Sequence, residues 1–349
     1  MKPLFVWVFA ALLLGSESWG GAPQAPLVGF SFSPLSSIES GRDPVQDLDE
    51  LVAQTQPDLV RLPIYWELVE PTPNELDFSS VDPLLAVIAD HNASSPVQTK
   101  VVLTIGARNF LYPELHQPAW AGARSQPDID LAQSGDAYRT YFDASILRYG
   151  SSPLLYAWQV ENEPLDNVLN DLTGADQISI QQLAWEVGEV HRLDHKHKAV
   201  LSSYDGVNPV LDMMQVFTPP LLWPVGGGTG HPDQALAMAD ALGLDLYVDG
   251  PSVPYRSVTS VGIRSAWKAQ ALAFWADRAH AQGKDFWVAE MQAQPWDDAG
   301  DFGPEEMIKE AVDYRQAPVD VVLMWGVETW LWDPQWMAAG VRAIGILRS

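Results

Sequence analysis

Apolar residues in this chain keep two different rhythms. From Pro26 onward, short and nearly continuous runs of Val, Leu and Ile alternate with longer stretches in which apolar residues recur every three or four positions. The first pattern predicts strands buried on both faces, and the second predicts amphipathic helices. Strands are predicted at 27–32, 58–63, 100–105, 154–160, 199–203, 242–248, 285–290 and 319–325. Helices are predicted at 45–54, 81–91, 136–149, 178–193, 262–282 and 305–315, with a short closing helix at 336–347. Between the fifth and sixth strands the helical signal is weak, near 210–216 and 233–242.

Strand and helix in alternation imply a parallel sheet with helices on its outer faces, and eight such units fit a single α/β domain of the (β/α)8 barrel type over residues 21–349. An open, doubly wound sheet is the rival. No Gly-x-Gly-x-x-Gly follows the first strand, and the run Gly226-Gly227-Gly228-Thr229-Gly230 does not lie between a strand and a helix, so that rival has no phosphate cradle. The Pro- and Gly-rich segment 218–231 has linker composition, but a cut there would leave five units and three, neither of which closes a barrel. It reads as a long loop after the fifth strand.

Composition narrows the chemistry. The 349 residues carry 20 Lys+Arg against 45 Asp+Glu, a formal net charge of −25, which excludes a nucleic-acid binder held by phosphate contacts. There is no cysteine, so disulfides, thiolate metal sites, iron–sulfur clusters and a cysteine nucleophile are all excluded. Fifteen Trp supply flat faces that bind sugars as readily as they fill cores. The first twenty residues read as a secretory signal peptide cut after Gly20: a basic start at Lys2, an apolar run from Pro3 to Leu14, and small residues Ser18 and Gly20 at the cleavage positions. The run is too short to span a bilayer comfortably, and no later stretch reaches 18 apolar residues, so a secreted or periplasmic protein without a membrane anchor is expected.

In such a barrel, catalytic groups sit where strands end. Glu163 closes the fourth strand in Trp158-Gln-Val-Glu-Asn-Glu163-Pro164, and Glu290 closes the seventh in Asp285-Phe-Trp-Val-Ala-Glu290. These strands face each other across the mouth. Two carboxyls on one cleft are what glycoside hydrolysis requires, one to protonate the leaving oxygen and one to attack the anomeric carbon or activate water. Either motif alone is common, as a chance Asn-Glu-Pro or a strand-end helix cap; their joint placement carries the inference.

With Trp-Gln-Val-Glu-Asn-Glu-Pro on strand four and a lone Glu ending strand seven, the chain resembles clan A of the glycoside hydrolases, along most of its length and in order. The resemblance implies a retaining β-glycoside hydrolase acting on a β-linked oligo- or polysaccharide by double displacement, with no metal and no cofactor. It assigns Glu163 as acid/base, Glu290 as nucleophile and Asn162 as a contact to the sugar 2-hydroxyl. Arg61 resembles the strand-two arginine paired with the nucleophile, Tyr247 the strand-six tyrosine bonded to it, and Trp325 the strand-eight sugar platform, for which Trp330 and Trp332 compete. Trp296, Trp120 and Trp223 fall in presumed loops and are candidates for sugar subsites; Trp66 is expected beneath the site, and Trp185 and Trp275 in the core.

The chain departs from the cellulase-type pattern. A His expected near the end of strand three is absent from Thr104-Ile-Gly-Ala-Arg108, Asp245 stands where strand six often has His, and Glu161 adds a charge beside the acid/base motif. Three rival readings remain: a transglycosylase using the same residues, a non-catalytic sugar-binding barrel, and metal-assisted hydrolysis. The sugar-binding barrel would be expected to lack one carboxylate. Metal-assisted hydrolysis would need more His or Asp at strand ends. The cluster His191, His195 and His197 lies before the fifth strand, at the opposite end from the mouth, and reads as imidazoles near a helix C-terminus rather than a zinc site.

Overall fold

Strand formation follows the Val/Leu/Ile runs closely. The structure, a computed structural model, describes residues 24–121, 131–165, 178–204, 231–247, 261–295 and 302–349. Among these, β1 (Leu27–Ser31), β2 (Leu59–Tyr65), β3 (Lys100–Gly106), β4 (Leu155–Val160), β5 (Lys198–Tyr204), β6 (Ala241–Leu246), β7 (Asp285–Gln292) and β8 (Val321–Trp325) pair in parallel and in order, and β8 closes on β1. Each predicted strand is present, with ends moved by a few residues; β7 runs on to Gln292, and β6 stops before Tyr247.

Helices pack around this barrel: α1 (Pro34–Glu39), α2 (Pro44–Thr55), α3 (Trp66–Val69), α4 (Asp82–Ser94), α5 (Leu131–Tyr149), α6 (Ile180–Leu193), α7 (Pro232–Met238), α8 (Val261–His280), α9 (Pro304–Arg315) and α10 (Pro334–Arg348). The short α1 and α3 have too few turns for a periodic signal. The first is started by a local device instead, Pro34 at its first position and the Ser33 hydroxyl accepting from the Ser36 N–H. The predicted helix at 210–216 and the signal peptide at 1–20 lie outside the described residues.

The barrel wall has two apolar sides. Val28, Leu62, Ile64, Val101, Leu103, Val160, Leu201, Leu244, Val288 and Val322 face the helices, while Leu59, Val102, Ala157, Val200, Ala241, Trp287, Val321 and Leu323 form a separate cluster inside the barrel. Close approach of β1 to β2 depends on Gly29, where a Cβ would stand 2.0 Å from the Leu59 carbonyl oxygen. Above the inner apolar layer the inward positions turn polar: Ser31, Arg61, Gln159, Ser202 and Asp245 are all buried. On β2, β4, β5 and β6 they stand two residues beyond Leu59, Ala157, Val200 and Gly243, as the strand period of two demands.

Strand β7 breaks that period. Val288 pairs with Leu244, but Glu290 pairs with Asp245, so β7 spends one residue more than β6 over this step. The irregularity falls at Ala289, also between Val288 and Met291 on the β8 side. Trp287 and Glu290, three positions apart, therefore both face the barrel interior, which regular alternation would forbid.

Candidate active site

Glu290 emerges from this bulge into a network that crosses the barrel. Its Oε1 accepts from Arg61 Nη2 at 2.6 Å, and its Oε2 accepts from the Tyr247 hydroxyl. Arg61 is fully buried on β2 and is held from three sides: Nε donates to Ser31 Oγ at 2.7 Å, Nη1 to Gln159 Oε1 at 2.9 Å, and the guanidinium lies 4.1 Å from the centre of the Phe110 ring. A cation this far from water is tolerated because its donors are met and a carboxylate balances it. Burial pushes the Glu290 carboxyl above its ordinary range, while Arg61 and the Tyr247 hydroxyl pull it back down.

The same network reaches the tip of β4. Gln159 Nε2 donates to Asn162 Oδ1 at 3.0 Å, and the Asn162 amide donates to Glu114 Oε1 at 3.3 Å. The tip bends sharply, with φ +58° at Glu161 and +43° at Glu163, a left-handed conformation that non-glycine residues rarely adopt. It is fixed by two bonds: Glu161 N–H to the Ile105 carbonyl at 2.7 Å, and Glu163 N–H to Ser202 Oγ of β5 at 3.0 Å. Glu163 is 4% exposed and Glu290 is 3% exposed. The charges of both act on one phenol, Tyr247, whose pKa is pushed well up by burial first and by Glu290 and Glu163 next.

Around them, Trp325 is half-buried, its ring edge-on to Tyr247 at 5.9 Å, and its Nε1 donates to the Phe110 carbonyl at 2.8 Å. That bond ties β8 to the loop after β3. The loop folds back on itself through Arg108 and Leu115, and Arg108 Nη2 donates to Glu114 Oε2 at 2.6 Å. Arg108 and Glu114 thereby occupy the region where a strand-three His was missed. Asp245 is fully buried opposite Glu290, with the Ser202 hydroxyl of β5 as its neighbouring donor. Burial, then the Glu290 charge, push its carboxyl well above the carboxylate range, while Arg61 and the Ser202 hydroxyl pull it back.

Of the residues singled out by sequence, Glu163, Glu290, Asn162, Arg61, Tyr247 and Trp325 come together here, while Trp296 lies outside the described residues, as does Trp223. Trp330 is core, its Nε1 donating to the Ala293 carbonyl, and Trp332 is half exposed on the surface. Trp120, a candidate for sugar subsites, is partly buried, packs edge-on against Trp66 and donates to the Glu70 carbonyl. Sequence reading missed Gln159, Ser202, Ser31 and Glu114. The first three had a signal: each is a polar residue on the inward phase of an otherwise apolar strand. His191 and His197 are paired with Asp240 and Asp194 at 2.7 Å, so neighbouring carboxylates supply the partners that the helix terminus alone was expected to provide. Among the described residues, no group of His, Asp and Glu is arranged to hold a metal ion.

No protein-family model matches the chain, and no curated protein matches its sequence. Solved structures do resemble it. GH5_18 from Bifidobacterium longum subsp. infantis superposes with a TM-score of 0.61 at 16% identity, covering 93% of this chain and 79% of the other. GH5_18 from Streptomyces cattleya, solved in complex with GlcNAc, gives 0.58 at 17% identity over 87% and 71%. Xylanase 10B from Thermotoga petrophila RKU-1, in complex with xylobiose, gives 0.53 at 11% identity over 86% and 82%. At such identities the likeness establishes the (β/α)8 fold, which is the fold that the clan A resemblance implied.

Proposed function

We propose that this chain is an exported, retaining β-glycoside hydrolase acting on a β-linked oligo- or polysaccharide. The observation that carries this reading is Glu290, buried at the barrel mouth between Arg61 and Tyr247, with Glu163 acting on the same Tyr247 from the opposite strand. The sugar ligands of the similar solved structures support a carbohydrate substrate, and the Lys2–Gly20 pattern supports export.

In the first step, a Glu290 carboxylate oxygen attacks the anomeric carbon while Glu163, protonated, gives its proton to the departing glycosidic oxygen. A glycosyl ester forms on Glu290 and the aglycone leaves as an alcohol. In the second, Glu163 takes a proton from water, which attacks the same carbon and frees Glu290 with the anomeric configuration restored. Arg61 keeps Glu290 oriented and favours its ionised form as negative charge returns to it. Asn162, bonded to Gln159 and Glu114, takes the 2-hydroxyl, and Trp325 takes the sugar face.

The test is a panel of aryl β-glycosides and of β-glucan, mannan, xylan and galactan polymers, with Glu290→Ala and Glu163→Ala as controls. Turnover of at least one substrate with retained configuration is expected, together with azide rescue of Glu290→Ala giving the inverted glycosyl azide. Folded Glu290→Ala protein with wild-type turnover, or azide rescue confined to Glu163→Ala, would overturn the assignment.

A further inference from the structure

Two buried carboxyls beside the site take no part in that chemistry, and they meet at one phenol. The Glu161 side chain leaves the β4 tip toward Gly106, where a Cβ would stand 2.3 Å from its carboxyl carbon. It accepts the backbone N–H groups of Ala107 at 3.0 Å and Arg108 at 2.5 Å, and lies 3.0 Å from the Tyr138 hydroxyl of α5. Glu186 of α6 lies 2.7 Å from the same hydroxyl and accepts from Gln182 Nε2 at 2.8 Å. Glu161, Glu186 and Tyr138 are all fully buried, and the Glu186 carboxyl also lies against that of Glu161.

Counting protons decides the state of this cluster. A phenol has one proton and can donate to one carboxylate, and Glu161 and Glu186 also lie in hydrogen-bond contact with each other, so the three groups require a carboxyl proton among them. Two backbone N–H groups favour the charge on Glu161, while Glu186 receives one neutral amide. We propose that Glu186 carries that proton and donates to Tyr138, that Tyr138 donates to an ionised Glu161, and that Glu161 is thereby a positioning residue for the β4 tip. This rests on the assignment of Glu163 as acid/base. The Glu161 charge clamps the first residues of the β3 loop, Arg108 then reaches Glu114, and Glu114 holds Asn162, the neighbour of Glu163. The circuit starts and ends on one three-residue tip.

The titratable groups facing the pair are Tyr138 and Tyr141 of α5, both phenols pushed well up by burial, and the Arg108 guanidinium of the β3 loop is turned to Glu114. Burial, then the Glu161 charge, push Glu186 well above the carboxylate range. Burial raises Glu161 as well, against the two backbone N–H groups that lower it. A carboxyl whose folded pKa is raised stabilises the fold at low pH and loses that contribution as pH climbs.

Urea unfolding of the full chain from about pH 5 to about pH 9, with kinetics on an aryl β-glycoside that the wild type hydrolyses, tests the proposal on Glu186→Gln, Glu161→Gln and Tyr138→Phe. Glu186→Gln keeps the donor, so kcat stays within about twofold and the alkaline loss of stability shrinks relative to wild type. Glu161→Gln loses the clamp, and kcat falls about 100-fold with KM changed less than about threefold. Tyr138→Phe, which leaves both carboxyls in place, loses about tenfold in kcat. An alkaline stability loss in Glu186→Gln equal to that of wild type overturns the proton assignment, including where Glu161→Gln does not fold. Wild-type kcat in Glu161→Gln or Tyr138→Phe overturns the positioning role. A wild type that hydrolyses no β-glycoside counts against the function proposed above, while the unfolding comparison still judges the proton.

Discussion

Asp245 and Glu290 are register partners on neighbouring strands of the barrel, both carboxyls buried and facing its interior. Two anions so placed would repel in a medium where water cannot screen them, and Arg61, the cation in hydrogen-bond contact among the described residues, is bonded to Glu290. Burial and the Glu290 charge favour the protonated form of Asp245, while Arg61 and Tyr247 favour the charge on Glu290. Asp245→Asn, which keeps shape and removes the ionisable proton, is expected to retain kcat within about threefold. Because the raised pKa of Asp245 makes it a stability loss as pH rises, the variant should gain in melting temperature at pH above neutrality and little in acid. Melting curves across pH with parallel rate measurements check both. A fall of about 100-fold in kcat in folded Asp245→Asn would mean that the charge is used.

Tyr247→Phe removes one of the two bonds that hold Glu290 ionised. Since that bond lowers the Glu290 pKa, its loss should move the acidic limb of the kcat/KM profile to higher pH. Arg61→Met should move the limb in the same direction and farther, and it also leaves Gln159 and Ser31 without their cationic partner. Breaking a buried ion pair from one side costs about 3–5 kcal/mol, so Arg61→Met should lose stability on that scale in urea titrations, whereas Tyr247→Phe should not. An acidic limb that stays fixed in both variants would show that it does not report Glu290.

The eight strands were legible because parallel strands covered on both faces leave almost continuous Val/Leu/Ile runs, and the Trp-Gln-Val-Glu-Asn-Glu-Pro ending carried the β4 site with it. Arg61 was singled out by its likeness to the strand-two arginine of the clan, and the structure puts it on the inward phase of β2. Glu290 is different. Regular alternation from Trp287 would turn it toward the helices, and only the extra residue at Ala289 returns it inward, a bulge with no residue-level mark. Glu114 and Arg108 were equally hidden, because they join the site through the fold-back of one loop rather than through any period. Glu161 looked like an added charge near the cleft; its destination depends on Gly106 and Tyr138, which are distant in sequence and adjacent only in the folded barrel.

A buried carboxyl outside the site, Glu328, gives a prediction free of catalysis. Glu328 follows β8 and accepts the Ser33 N–H at 2.7 Å, and Ser33 in turn bonds the Tyr65 hydroxyl at 2.8 Å. Burial raises Glu328 to about 7, against the pull of the Ser33 N–H. The sign follows: the folded protein prefers the protonated acid, so this contribution is complete below the ordinary glutamate range and disappears as pH rises through about 7. The loss amounts to about 3 kcal/mol at most between those limits. Glu328→Gln keeps an acceptor for Ser33 and cannot ionise, so its unfolding free energy should fall less than that of wild type from pH about 5 to about 8. Parallel pH dependences of the two proteins in urea would show that Glu328 titrates at its ordinary value and that water reaches it.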